Sequence, residues 1–166
     1  MLVNTPRLVL RPQVQADAAA LFTIFSDAEA MRFWSRPPAG RGSVDALVAQ
    51  QQAAMAEGLC RYWTIWEGDD TIGSTDLSLI RDGSAELGFV LRRDRWGLGL
   101  ASEAVGATIA LGFGPMALNR LAAAVQTQNR AAARVLENHR FVLVESRAVA
   151  IAEGGKRDCG FYLLER

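Results

Sequence analysis

"RDRWGLGLASEA" (Arg93–Ala104) decides how this chain is read. Gly97 and Gly99 stand one residue apart among basic and aromatic residues, and an alanine-rich apolar segment follows at once. Glycine enters positive φ without steric cost and lacks the Cβ that holds a ligand away from the backbone. Before the stretch lies "AELGFVLR" (Ala85–Arg92), a β-rich strand; after it a helix is expected as far as Phe113, ended by Gly114-Pro115. A strand, a glycine loop and a helix together aim the unpaired N–H groups of the first helical turn at an anion, and the helix dipole adds about half a positive charge there. Arg92, Arg93 and Arg95 surround the loop and are expected to pair with further phosphate. By itself the loop has two readings: a turn whose glycines serve geometry, or an anion cradle. It is not a P-loop, whose Lys and Ser/Thr are absent, and G-x-G-x-x-G fails because Ser102 stands three residues after Gly99.

Working outward, "RYWTIWE" (Arg61–Glu67) and "TIGSTDLSLI" (Thr71–Ile80) read as strands around the turn "GDD", and "RDGS" (Arg81–Ser84) turns the chain into the strand before the loop. Further upstream, "RLVLR" (Arg7–Arg11) is a short strand between Pro6 and Pro12. Asp17 is expected to cap a helix with Leu21, Phe22 and Phe25 on one face. "FWSRPPAGRG" (Phe33–Gly42) then breaks the chain, and Ser43 is expected to cap a second helix with a stripe of Val44, Leu47, Val48, Ala54 and Met55, ending at Gly58. Downstream come the strand "RLAAAVQ" (Arg120–Gln126), a helix "RAAARVLENH" capped by Asn129, and the closing strands "FVLVE" and "CGFYLLE". The order βααβββαβαββ predicts an α/β (mixed α+β) fold: one domain over 1–166, with a central twisted mixed sheet of about seven strands flanked by about four helices.

Composition narrows the function. Eighteen Lys and Arg balance 18 Asp and Glu, so the whole-chain charge gives no case for nucleic acid or an anionic membrane, and any anion must be held locally. Cys60 and Cys159 fit no metal spacing and no disulfide framework. The opening "MLVNTPRLVLRPQ" lacks a basic-then-apolar signal, and no apolar run approaches about 18 residues, so a reducing cytoplasm is the expected setting.

"WGLGLASEA" (Trp96–Ala104) resembles the pyrophosphate loop of the GNAT superfamily of acyl-CoA N-acyltransferases. That family's pattern is Gln/Arg-x-x-Gly-x-Gly/Ala, which meets Trp96-Gly97-Leu98-Gly99-Leu100-Ala101 here. Trp in the first place, with an S/T-E-A tail, is similar to the branch that acetylates ribosomal-protein N-termini. "TPRLVLRP", "AELGFVL" and "NRAAARVLENHRF" resemble that branch's opening strand, fourth strand and later helix, so the likeness covers nearly the whole chain.

The resemblance implies an acetyl-CoA-dependent N-acetyltransferase that moves the acetyl group to a primary amine, of a peptide N-terminus or a small molecule, by direct attack on the thioester. It implies no metal, and a homodimer is one assembly it admits. Backbone groups of Phe89, Val90 and Leu91 would hold the pantetheine arm and acetyl carbonyl, and the N–H groups of Leu98, Gly99, Leu100, Ala101 and Ser102 the pyrophosphate. Asn129 would contact the cofactor, a role compatible with a helix N-cap.

A lysine-like amine with pKa about 10.4 is protonated at neutral pH, so the chemistry asks for a base. Glu86 is the first candidate: it opens the fourth of the family's strands, on the face opposite Leu87 and Phe89. Its other reading is a strand-edge carboxylate or an anchor for substrate charge. Asp76 is the second candidate, while Glu103 and Glu137 read as helix-surface residues, Glu103 steadying a helix start.

The sequence also departs from the family. Many relatives carry a Tyr seven residues after the Asn, or a Ser three after it, to protonate the leaving thiolate; Leu136 and Ala132 stand there instead. The usual Leu-Gly-Phe is His139-Arg140-Phe141. Water or bound substrate would then supply the proton, and the alternative function is a non-catalytic acyl-CoA binding or sensing module. His139, the only histidine, reads as a helix-end surface residue. For the acceptor, Trp34 in "MRFWSRPP" and Trp63, with Trp66 beside it, are expected near the mouth, against an alternative role as core or loop anchors. Arg36 and Arg41 read as solvated loop charge.

Overall fold

Side-chain alternation along three β-rich segments builds the centre of the structure. The computed structural model describes residues 1–34, 40–150 and 154–166. β3 (Arg61–Glu67), β4 (Asp70–Arg81) and β5 (Ser84–Leu91) form an antiparallel meander. Its second turn places Asp82 and Gly83 at φ +48° and +72°, the two positive values that a type I′ hairpin needs to match strand twist. β1 (Val3–Asn4) and β2 (Val9–Pro12) extend the sheet on one side. β6 (Arg120–Gln126), β7 (Val142–Ala150) and β8 (Lys156–Glu165) extend it on the other. Among the described residues eight strands run in the order β1-β2-β3-β4-β5-β6-β8-β7, and of their pairings only β5–β6 is parallel. The strand beyond the expected seven is β1, two residues held by Val3↔Leu10 and Asn4↔Val9.

Period-2 alternation gives the sheet two apolar faces. Trp63, Ile65, Leu77, Leu87 and Leu121 pack with Leu100, Ala104, Val105 and Leu111 of α3 (Leu100–Phe113). On the opposite face Val90 packs with Leu21, Ile24 and Phe25 of α1 (Ala18–Phe25) and with Val44 and Val48 of α2 (Arg41–Ala56). α4 (Arg130–Asn138) lies against α3.

The two expected caps are corrected. Asp17 ends a 3₁₀ turn and holds the N-cap position of α1, but its side chain makes no capping hydrogen bond to that helix. Its carboxylate instead pairs with Arg11 and accepts hydrogen bonds from the Val14 N–H (2.8 Å) and the Thr64 hydroxyl (3.3 Å), tying β2 and β3 to the start of the helix. α2 starts earlier than expected: Gly40 is its N-cap, extended at ψ 164°, and Ser43 sits in the first turn. Arg41 lies 5.5 Å from the Phe22 ring centroid, while Arg36 falls outside the described residues. Among the described residues no helix is long and apolar enough to cross a membrane.

Candidate functional site

β5 and β6 pair over only three positions, Ser84↔Arg120, Ala85↔Leu121 and Glu86↔Ala122. Beyond that point β5 stays with β4 as far as Leu91, and β6 stays with β8 as far as Gln126. The facing edges therefore part at Glu86 and Ala122, leaving backbone groups that need an outside partner. Strand geometry decides which residues offer them. The Val90 carbonyl faces β4, in the space a Cβ on Gly73 would need, and the Arg92 N–H donates to the Ile72 carbonyl at 2.7 Å. Phe89 and Leu91, one residue out of phase, face the opening. The Leu91 carbonyl already accepts the Trp96 indole N–H at 2.9 Å. Of the three residues expected to line the cofactor with backbone, Val90 is thus turned the wrong way and contributes a buried side chain instead.

Across the opening, Gly97 and Gly99 take φ of +74° and +77°. Gly99 is the N-cap of α3, and no side chain caps the helix. The N–H groups of Leu100, Ala101 and Ser102 consequently have no acceptor within the helix. The loop is braced from behind: Arg7 donates to the Leu98 carbonyl (2.9 Å), and Glu103 holds both Arg7 (2.7 Å) and Thr5 (2.6 Å). This is the helix-start role expected of Glu103. The three neighbouring arginines are committed elsewhere. Arg92 pairs with Asp70 and Asp94, both at 2.7 Å, Arg95 with Glu67 at 2.8 Å, and Arg93 with Asp27 at 3.5 Å. They shape the loop's flank through carboxylates rather than waiting for phosphate. His139 is corrected too. It is half-buried, its Nε2 lies 3.0 Å from the Ser102 hydroxyl, and its ring occupies the space a Cβ on Gly106 would need. It joins α4 to α3 behind the loop.

The opening leads into a cavity of about 700 Å³ that reaches from Asn129 and Ala132 at one end to Trp34 and Gln51 at the other. Asp76 and Glu86 form its floor. Asp76 pairs with Gly88 and Ser78 with Glu86 across β4 and β5, so the two carboxylates are diagonal neighbours on one sheet face. Gly88 makes the room: a Cβ there would lie 2.5 Å from Asp76 Oδ1. Burial pushes the Asp76 carboxyl up to about 7, with the Glu86 charge adding to the shift and a Ser78 hydrogen bond opposing it. Burial also raises Glu86. A carboxyl with pKa near the ambient pH suits proton transfer.

The remaining expected residues divide. Asn129 Oδ1 accepts the Ala132 N–H at 3.1 Å, capping α4 while its residue lines the cavity. Trp34 lines the cavity, its ring centroid 6.4 Å from that of Phe25. Trp63 does not: it is 3% exposed in the α3-side core, and its indole N–H donates to the Met1 carbonyl at 3.2 Å. It is an anchor because residue 63 has the parity of Ile65. The adjacent Tyr62 has the cavity parity and lines the wall. Trp66 is stacked by Arg11, 4.4 Å from the ring centroid. Leu136 is fully buried, whereas Ala132 borders the cavity. Sequence reading passed over Tyr62, Gln51 and Ser78. Parity would have found Tyr62, but nothing local marks Gln51, which arrives from α2.

A family model described as an acetyltransferase (GNAT) domain matches residues 7–142. The chain belongs to this family. As a GNAT acetyltransferase it is an acyltransferase, and its relatives agree. The uncharacterized N-acetyltransferase p20 of Bacillus licheniformis is 33% identical over 146 residues, 82% of this chain and 80% of that protein. Among solved structures, RimL, a ribosomal L7/L12 α-N-protein acetyltransferase in complex with coenzyme A, superposes with a TM-score of 0.90 at 16% identity, covering 99% of this chain and 98% of that one. A spermidine N-acetyltransferase of Vibrio cholerae, solved with CoA and spermine, gives 0.86 at 19% identity, covering 97% and 96%. These two share the fold.

Proposed function

We infer that residues 1–166 form one N-acetyltransferase domain that transfers acetyl from acetyl-CoA to a primary amine, with Asp76 as the base. The observation that carries this reading is the pair of half-buried carboxylates, Asp76 and Glu86, on the cavity floor where β5 and β6 part.

The chain fits the cofactor. The uncapped start of α3 offers the N–H groups of Leu100, Ala101 and Ser102, and the loop ahead of it those of Leu98 and Gly99, to the pyrophosphate. Phe89 offers its backbone along the opening to the pantetheine arm, with the Leu91 N–H beyond it, and Asn129 stands where β6 ends. Bound acetyl-CoA supplies an activated acetyl thioester. The protein's part is to hold the acceptor amine in line with it and to take the amine's proton. Asp76 does the latter as carboxylate, and Glu86 keeps it basic through repulsion and attracts the incoming ammonium. With Leu136 and Ala132 at the two hydroxyl positions, the leaving thiolate would take, through water, the second proton that the nitrogen sheds as the amide forms. Trp34 and Tyr62 border the acceptor end.

The acceptor is a primary amine, of a peptide N-terminus or a small molecule. Two proteins of this fold bear names for either class, an α-N-protein acetyltransferase and a spermidine acetyltransferase. A cytoplasmic setting accords with the free Cys60 and Cys159. The test is an acceptor panel of peptides and polyamines with acetyl-CoA, read by thiol release and product mass. Acetylated product from at least one primary amine is expected. If acetyl-CoA at 100 times its Kd adds its expected 2.7 kcal/mol or so of stability and no amine is acetylated, the non-catalytic acyl-CoA binding reading replaces this one.

A further inference from the structure

The cavity is acidic on its floor and basic on one wall. Of the described residues that line it, Asp76 and Glu86 are the acids and Arg157 is the one base. Arg157 comes from β8, where alternation puts it on the same face as Cys159 and Phe161, which also line the cavity.

Two side chains from this half of the sheet reach the segment that follows α1. Gln126 on β6 donates to the Phe33 carbonyl at 2.7 Å, and Arg157 to the Trp34 carbonyl at 3.1 Å. Both bonds hold that aromatic segment in place, but they differ in what they leave over. Gln126 does the work with a neutral amide. Arg157 spends one nitrogen, Nη1, on the same kind of bond and keeps the rest of its planar fork. It also keeps a full positive charge, which a carbonyl does not neutralise.

Among the described residues Arg157 forms no ion pair. Asp158 beside it has the opposite parity and is exposed, and Glu145 on the neighbouring strand is taken by Arg147 at 3.3 Å. Half-burying a guanidinium with one neutral partner costs hydration that the structure does not return. Holding Trp34 needs only a donor. The surplus charge and the free part of the fork suit a carboxylate arriving from outside, which arginine binds in bidentate fashion.

Strand register sets how far that carboxylate stands from the amine. Glu86 pairs with Ala122 on β6, and Ala122 with Leu163 on β8. From that row back to Arg157 the strand rises about 20 Å, at about 3.3 Å per residue. The two long side chains shorten the gap. A free α-amino acid, with its amine and carboxylate on one carbon, does not span it, whereas an extended peptide of a few residues does.

We propose that the acceptor is a primary amine with a carboxylate a few residues away: a peptide N-terminus that is acidic near its start, its carboxylate held by Arg157. The place of the amine, over Asp76 and Glu86, rests on the acetyl-transfer reading above. A polyamine offers Arg157 nothing, and its far ammonium would meet a like charge there.

The test uses C-terminally amidated peptides that differ only in carrying Glu, Gln or Lys at one position after the first residue. Tripeptides with free or amidated ends ask whether a chain terminus can serve as the carboxylate. Binding is read by calorimetry with CoA present, and transfer separately by product mass. The wild type is expected to prefer Glu over its isostere Gln by about tenfold in Kd, as a charge-assisted hydrogen bond supplies. Arg157→Gln can still donate to the Trp34 carbonyl, as Gln126 does to Phe33, and is expected to erase that preference. Arg157→Glu is expected to turn it toward Lys, a reversal that a merely loosened wall would not produce. Equal binding of all the peptides by the wild type overturns the proposal, and so does a preference for Glu that survives Arg157→Gln. Acetylation of a polyamine with no peptide bound overturns it while leaving acetyl transfer intact. Charge-selective peptide binding without acetylated product supports Arg157's role and counts against the catalytic reading instead.

Discussion

The loop proposed to hold the donor and the cavity proposed to take the acceptor are built from different materials. The loop is backbone: two left-handed glycines and the uncapped start of α3 within one short stretch of chain. The cavity is side chains gathered from far apart, Trp34 after α1, Gln51 on α2, Tyr62 on β3, Asp76 on β4 and Glu86 on β5. A backbone cradle tolerates many side-chain identities and demands glycine where φ is positive. A side-chain pocket demands particular groups and can be rebuilt one residue at a time. Within one fold, then, a backbone cradle can stay constant while a side-chain pocket varies.

The sharpest way to break this contrast is Asp76→Asn. Loss of a general base costs about 10²- to 10⁴-fold in turnover, and acetyl-CoA affinity is expected to stay within about twofold because no donor group is touched. In the wild type, kcat should rise with pH and level off above the midpoint near 7, since the carboxylate is the working form. Stability should run the other way. The folded state raises the Asp76 pKa from 3.8 to about 7, so it binds the proton more tightly than the unfolded chain does. The associated stability is fully present below pH 4 or so and is lost as pH rises through 7, by up to about 4 kcal/mol at about 1.4 kcal/mol for each pH unit. Water in the cavity reduces that figure. Denaturant melts at pH 5 and 8 should show Asp76→Asn less pH-sensitive than wild type. An inactive variant with unchanged pH dependence of folding would place the base elsewhere, Glu86→Gln being the next variant to assay.

Two tryptophans sharpen the boundary of the acceptor end. Trp63→Ala removes a ring from the α3-side core and should cost about 3–5 kcal/mol of stability, seen in urea melts, with little change in acceptor KM for the protein that remains folded. Trp34→Ala should do the reverse, raising acceptor KM several-fold with a smaller stability loss. Equal behaviour of the pair would mean that sheet parity does not separate substrate wall from core. At the donor end, Gly99→Ala forces a Cβ into left-handed backbone at about 1–2 kcal/mol. It also sets that Cβ among the N–H groups expected to hold pyrophosphate, so acetyl-CoA Kd, by calorimetry, should rise about tenfold while acceptor preference is unchanged.

The same contrast governs what the sequence made legible. Element order, the β5–loop–α3 junction and the Asn129 cap were readable because each depends on residues adjacent in the chain. Trp63 misled because size was read before parity: one step along β3 moves a side chain from the cavity to the opposite core, and Tyr62 holds the cavity place. The arginines around the loop misled because their partners Asp70, Glu67 and Asp27 arrive from other elements. The case for Asp76 as the proposed base was hidden for a similar reason. Its shift arises from burial, with the Glu86 charge adding to it, and neither the burial nor the neighbour across the ladder is visible along β4.

The smallest effect concerns a departure from family pattern that the structure makes intelligible. Arg140 occupies the place that the family resemblance assigns to glycine, and it takes φ +66°. It sits just past the end of α4: its N–H donates to the Glu137 carbonyl at 2.9 Å, and the Phe141 N–H donates to Leu136 at 3.1 Å. This is the Schellman pattern of bonds, in which the residue in Arg140's place is left-handed and usually glycine. Arg140→Gly relieves about 1–2 kcal/mol of left-handed strain and gives back about 0.4–1 kcal/mol through the freer unfolded chain. The net gain should be about 0.5–1 kcal/mol, a rise of about 2 °C in Tm for a chain of this length. Because Arg140 follows His139, which abuts Ser102 behind the donor loop, the same variant asks whether that support depends on a strained residue. Unchanged acetyl-CoA affinity with a raised Tm would confine the strain to the helix end; tighter binding would mean that it reaches the loop.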